Sequence, residues 1–297
     1  MPSQRRALVL VFTLVAALAP AARAQQALDD LLATDRALSS VGIVEAVRRG
    51  GAPKMVLVYP GAPIVVGRDP AHQLLDAQAA LRTIGLRWVP LYGLVSSDGK
   101  FGVTYGVTGI IDAEQTAAAT QRFGKYMSAW QRDADGWRMV AHAQIGLLPP
   151  SYFVTPPGFR APPISPLARS GPAAEMARAD SLFSAQAARD GAPAAFAFWA
   201  AADGILFPAT GELVHGPDAI RRLMAEGPQS AWTWHPVLAM ASSGGDLGFT
   251  VGEASITPPN GSPVYTKYLS LWRRDADGRI RFLADGGNVR PPPVIPQ

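Results

Sequence analysis

Thirteen residues from Lys125 to Trp137, KYMSAWQRDADGW, return almost unchanged from Lys267 to Arg279 as KYLSLWRRDADGR, about 140 positions later. Each copy alternates bulky side chains up to a Trp, passes through Arg into the turn-forming Asp-Ala-Asp-Gly, and resumes its alternation. That is the pattern of a β-hairpin. A chain that writes one hairpin twice is built from two similar units, and the repeat runs well beyond the hairpin.

The segment Leu86 to Ile110 lies without a gap over Trp232 to Ile256, pairing Trp88 with Trp234, Pro90 with Pro236 and Ser96-Ser97 with Ser242-Ser243. Upstream, GRDPAHQLL (Gly67 to Leu75) matches GPDAIRRLM (Gly216 to Met224). Both read as helix starts: Asp69 is the expected cap of a helix beginning at Pro70, and Gly216-Pro217 does the same work in the second copy. Each unit opens on an apolar helical pattern. Leu28, Leu31, Leu32, Leu38, Val41, Val44 and Val47 carry it in the first; Met176, Leu182, Phe183, Phe196 and Trp199 mark two pieces broken near Gly191-Ala192-Pro193 in the second. Each unit is therefore helix, short strand, helix and four longer strands, an α+β arrangement with helices on one face of an antiparallel sheet. Residues 147–172 hold eight prolines in 26 positions, which favours an extended connector that a proline-reading partner could also bind. The tail, 291–297, is similar.

Arg5 and Arg6 precede an apolar run from Ala7 to Ala19, and Ala22-Arg23-Ala24 places small residues where a signal peptidase reads them. This predicts a leader over 1–24, cleavage before Gln25, and a periplasmic or secreted protein. The run is too short to span a bilayer. Removing the leader leaves 24 basic and 23 acidic residues, so the overall pI of about 9.6 says little about the mature chain. No cluster of Lys and Arg with interleaved aromatics points to nucleic acid. Without cysteine, disulfides play no part.

The order W-x-P, then GDLGFTVGE, then YTKYLSLWRRDADG and LADGGN in the second unit resembles the nuclear transport factor 2-like superfamily. The closest likeness is to its SnoaL-like branch, which includes polyketide cyclases and is related to ketosteroid isomerase. The pattern is nearly complete from Ala173 to Arg290 (173–290). From Ala27 to Gly146 (27–146) it is diverged, with HAQIG where the second unit has DGGN. The resemblance implies two cones, each a strongly bent antiparallel sheet wrapped around helices with an apolar pocket at its wide end. It also implies that the outer sheet faces pair, here as an intrachain pseudo-dimer. Both faces of KYLSLW fit that, Leu269 and Leu271 on one and Tyr268 and Trp272 on the other. Function varies widely within such a fold.

His72, His142, His215 and His235 form no spaced pair, so no metal site is written locally. There is no Cys or Gly-x-Ser-x-Gly nucleophile and no glycine-rich loop that calls for a cofactor. General acid/base work in a cone pocket remains, where apolar surroundings move a carboxyl or imidazole toward neutrality. The candidates are Asp285 and its counterpart His142, with Trp199, His215, Trp234, His235, Glu253, Tyr268 and Trp272 as ligand-binding residues; Asp203 reads as a turn or helix-end residue. Strand alternation puts Asp285 on the face of Arg281, away from the pocket, unless a bulge near Gly286-Gly287 re-aims it. Because no acid/base pair is written in both units, a non-catalytic module binding a small apolar ligand or a protein is the favoured reading. An isomerase, cyclase or dehydratase acting on a small apolar substrate in the second unit is the alternative. A buried carboxyl facing an apolar void of about 300 to 1,000 Å³ separates the two.

Overall fold

The computed structural model describes residues 4–78, 85–111, 123–146 and 156–293. The first unit runs α1 (Gln4–Ser39), α2 (Ile43–Gly50), β1 (Gly51–Val58), β2 (Val65–Val66), α3 (Arg68–Asp76), β3 (Gly85–Val95), β4 (Phe101–Ile111), β5 (Phe123–Asp133) and β6 (Gly136–Gly146). The second repeats it as α4 (Pro172–Asp190), α5 (Ala192–Trp199), β7 (Ala200–Phe207), β8 (Val214–His215), α6 (Pro217–Glu226), β9 (Ala231–Ala241), β10 (Leu247–Thr257), β11 (Val264–Arg274) and β12 (Ile280–Val289). Of the proline-rich connector, residues 156–171 form neither helix nor strand, while 147–155 lie outside the described residues, as does 294–297 of the tail.

Local chemistry explains the element boundaries. The break between α4 and α5 falls at Gly191, whose φ of 86° only glycine adopts cheaply, and Pro193 then fits the first turn of α5. The expected cap at Asp69 is corrected. Helix α3 starts at Arg68, Gly67 takes the entry position with φ 104°, and Asp69 sits in the first turn paired to Arg68 at 2.8 Å. A positive φ at the entry excludes Asp there, and a carboxylate one turn in still favours the helix dipole.

Each sheet has six strands, in the orders β2-β1-β6-β5-β4-β3 and β8-β7-β12-β11-β10-β9. The sheets are mixed: β1 runs parallel to β6 and β7 parallel to β12, while the other neighbours are antiparallel. Every pair joined by a hairpin is antiparallel; the parallel pairs join strands that no hairpin connects. Among the described residues, the antiparallel pairs carry four bulges at matching places. Leu91 in β3 and Val237 in β9 follow the prolines of W-x-P, and Val140 in β6 matches Leu283 in β12. Proline is tolerated there because β3 and β9 are edge strands.

The inner face of each sheet packs on its own helices. Leu31, Val47, Trp88 and Trp130 lie in the first of these cores; Met176, Phe183, Phe196, Trp272 and Phe282 lie in the second. The outer faces share one core that mixes Val103, Met127 and Ile145 with Phe249, Leu269 and Leu271. The two units thus meet sheet to sheet. Their hairpin tips also bond across this contact: Ser97 N donates to Asp246 Oδ2 (2.7 Å) and Ser243 Oγ to Asp98 Oδ2 (2.6 Å).

Candidate active site in the second unit

Helix α4 turns one carboxyl inward among its apolar residues. Asp180 is fully buried, and three strands supply its donors. Trp234 on β9 gives its Nε1–H to Oδ1 (2.8 Å), Tyr268 on β11 gives its hydroxyl to Oδ2 (2.8 Å), and Thr250 on β10 adds a third hydrogen bond. Burial raises the Asp180 pKa to about 6, against the lowering effect of those three bonds. Four residues along α4, the Ser184 hydroxyl donates to Trp234 O at 2.7 Å and anchors β9 to the helix.

The first unit repeats this frame atom for atom. Asp35 accepts from Trp88 Nε1 (2.6 Å) and Tyr126 Oη (2.7 Å), and Ser39 Oγ donates to Trp88 O (2.6 Å). Trp130 and Trp272 give their indole N–H to Thr104 and Thr250. The sequence does carry a signal for the frame. An Asp and a Ser four apart occur in the opening helix of both units, DRALS at 35–39 and DSLFS at 180–184. An apolar-period reading passes over it, because an acid in a helix normally marks the solvent side.

Above the frame the two units differ. In the second, a cavity of about 310 Å³ is walled by Phe196, Leu223, Met224, Trp232 and Trp234, with Tyr268 and Asp285 among its polar groups beside Thr266, Lys267 and Asn288. The bulge at Leu283 brings Asp285 there. Phe282 faces inward, Leu283 and Ala284 both lie in the core between the sheets, and Asp285 is therefore inward again. The re-aiming device is thus three residues before Gly286. Asp285 is 8% exposed and accepts a hydrogen bond from Ser270 Oγ. Burial pushes its pKa up to about 7, the neighbouring Asp180 charge adds to this, and the Ser270 bond opposes it. Burial, reinforced by Asp180, also holds the Tyr268 hydroxyl well above its ordinary value. A Cβ on Gly252 would lie 2.2 Å from Tyr268 Oη, so only glycine leaves room for this phenol.

In the first unit larger polar side chains stand at two of the matching positions. Gln144 stands where the second unit has Gly287 and Thr108 where it has Ala254, and Gln144 Nε2 donates to Thr108 Oγ1 at 2.9 Å. His142, the counterpart of Asp285, pairs through Nδ1 with Ser128 Oγ (2.9 Å) and lies between the rings of Trp88 and Tyr126. Burial drives its pKa down to about 3, so it stays neutral and takes no proton near pH 7.

Of the remaining sequence candidates, Trp234 and Tyr268 line the cavity. Five lie outside it. His235 and Glu253 alternate with the inward Trp234 and Ala254, so His235 is exposed and Glu253 accepts from Arg290 Nη2 at 3.0 Å. His215 is exposed on β8. Trp199 donates to Gln186 Oε1 and borders a separate surface depression near Arg178 and Arg281. Trp272 is buried in the sheet floor, edge-on to Phe183. Asp203 is a strand residue in β7, paired with Arg273 at 2.6 Å. Among the described residues no three His, Asp or Glu side chains converge as a metal-ligand set.

No protein-family model and no curated protein sequence matches the chain. Similar solved structures include a calcium/calmodulin-dependent protein kinase II association domain from Xanthomonas campestris (20% identity, TM-score 0.38, 44% of this chain and 96% of that one). Others are a ketosteroid isomerase-like protein from Erwinia carotovora (14%, 0.35, 40% and 96%) and an NTF-2-like protein of unknown function from Shewanella oneidensis (11%, 0.31, 39% and 96%). Two matching helix-on-sheet units of six strands each give the chain an α+β fold of two similar units in tandem.

Proposed function

We propose that the second unit binds a small, uncharged, largely apolar molecule and transfers a proton on it, with Asp285 as the acid/base group. One observation carries this reading: a buried carboxyl, hydrogen-bonded to Ser270, stands on the wall of an apolar cavity beside Tyr268. It moves the balance from a binding-only module to an enzyme of the isomerase, cyclase or dehydratase kind. The first unit keeps the frame without the chemistry, which explains why no acid/base pair recurs in the sequence. A carboxyl titrating near 7 serves as base when ionised and as acid when protonated, and it is most useful near neutral pH. The substrate class is a compact molecule with a C–H proton made mobile by a neighbouring carbonyl. Asp285 removes that proton, the C–H electron pair shifts toward the carbonyl oxygen, and return of the proton elsewhere completes the exchange. The cationic side chain on the cavity wall, Lys267, is committed to Asn288 Oδ1 and Val289 O, which disfavours anions.

A generic probe tests the base without knowledge of the natural substrate. 5-Nitrobenzisoxazole opens its ring when one carbon-bound proton is removed, and it is planar and uncharged. The expected rate rises with pH through about 7, and Asp285→Asn lowers it by roughly 10²-fold or more. A pH profile without that inflection, or an Asp285→Asn variant as fast as the parent, sinks the proposal.

The same proposal places the mature protein outside the cytoplasm, starting at Gln25. The charged start, short apolar run and Ala-Arg-Ala support this, and no described helix is long and apolar enough to cross a membrane. Intact mass of the protein from the exporting cell should correspond to residues 25–297; a mass that includes residues 1–24 would refute cleavage.

A further inference from the structure

We infer that the first unit is the scaffold of the second unit's cavity, and that Lys125 is a positioning residue for the cavity wall at Phe207–Ala209. After β7 the chain passes Phe207, Pro208 and Ala209, all on the cavity wall, and turns at Gly211 with φ 81°. Lys125, on β5 of the first unit and 6% exposed, donates from Nζ to both Pro208 O and Gly211 O (2.9 Å for the latter). One ammonium thus bridges two carbonyls of a single short connection and sets its curvature. Charge-assisted bonds of this kind are the stronger class. Beside it, the first unit's backbone comes so near that a Cβ on Gly146 would sit 2.8 Å from Ala209 O. Tyr105 packs edge-on against Phe207 at 5.5 Å.

The opposite wall is tied in the same way. Asn288 Nδ2 donates to Gln144 O (2.7 Å) and Val58 O (3.2 Å), and Gly61 N donates to Val289 O (3.1 Å). The strongest argument is a broken symmetry. Lys267 is the counterpart of Lys125, and strict duplication would send it to the first unit's connection after β1. It donates instead to Asn288 Oδ1 and Val289 O, on the second unit's own cavity wall. Both copies of this lysine therefore bond to the wall of one cavity, that of the second unit.

This inference rests on the proton-transfer reading for its kinetic readout alone. The test uses the full chain with Lys125→Met, which keeps side-chain length and removes the ammonium, and with Lys125→Arg, which restores a cation. With 5-nitrobenzisoxazole, the Met variant should raise KM roughly tenfold while kcat and the pH midpoint stay within about twofold, since a lost charged hydrogen bond is worth about that factor. Amide hydrogen exchange over 207–213 should accelerate, and the Arg variant should recover both. An unchanged KM with unchanged exchange at 207–213 overturns the inference, as does a kcat loss that merely follows a loss of melting temperature. If the parent protein turns over no probe, the proton-transfer reading fails by itself. Exchange at 207–213 then decides: acceleration in the Met variant supports the scaffold role and no acceleration refutes it.

Discussion

Asp285→Asn will raise the melting temperature at pH 8 while removing proton transfer, and the stabilisation will vanish near pH 4. The sign follows from the raised pKa. The folded chain holds the Asp285 proton until about pH 7, whereas the unfolded chain releases it near the ordinary aspartate value of 3.8. Between those values the folded state binds more protons, so stability falls as pH rises, and above 7 the folded protein keeps a buried charge. A shift of roughly three units corresponds to at most about 4 kcal/mol at pH 8. Asparagine removes that charge and still accepts from Ser270 Oγ. An increase of roughly 5–10 °C is expected for a chain of this size. Below pH 4 both forms are neutral and should melt together. A variant less stable at every pH would mean that the carboxylate is a structural acceptor and the cavity has no acid/base group.

Asp180→Ala will destabilise the protein by about 2–5 kcal/mol and move the Asp285 midpoint downward. The alanine leaves the Tyr268 hydroxyl and the Trp234 indole N–H buried without their acceptor, the costly way to break a hydrogen bond. It also removes the nearby negative charge that helps to hold the Asp285 proton. The first unit provides the matched control. Asp35→Ala breaks the same bonds to Trp88 and Tyr126 and should cost a similar amount, but it leaves the Asp285 midpoint where it was. Thermal or urea unfolding measures the first effect and the pH profile the second. Equal midpoints in the two variants would show that Asp180 does not act on the cavity.

The duplicated hairpin, the W-x-P edge strands and the proline-rich connector made the fold legible, because each rests on local spacing that survives duplication. The pairing of His142 with Asp285 was legible for the same reason. What strand alternation misread was the face of Asp285, since one extra residue at Leu283 reverses every side chain beyond it, and nothing in RFLADGG marks that residue as the bulge. The exposed position of His235 follows from alternation with the inward Trp234. Asp35 and Asp180 were visible only as a repeated Asp-x-x-x-Ser. Their role depends on a Trp about 50 residues away and a Tyr about 90 residues away. The two units differ near the cavity by single exchanges, Gln144 for Gly287 and Thr108 for Ala254, whose meaning appears once β6 and β12 can be superposed in register.

The proton on Asp285 is the quantity on which the functional account stands. Carbon-13 NMR of the aspartate carboxyls in the intact chain, with Asp285→Asn used to assign the resonance, measures it directly. The account predicts a midpoint near 7 for this carboxyl and a downward move in Asp180→Ala. A midpoint near 4, the value of an ordinary solvated aspartate, would contradict it.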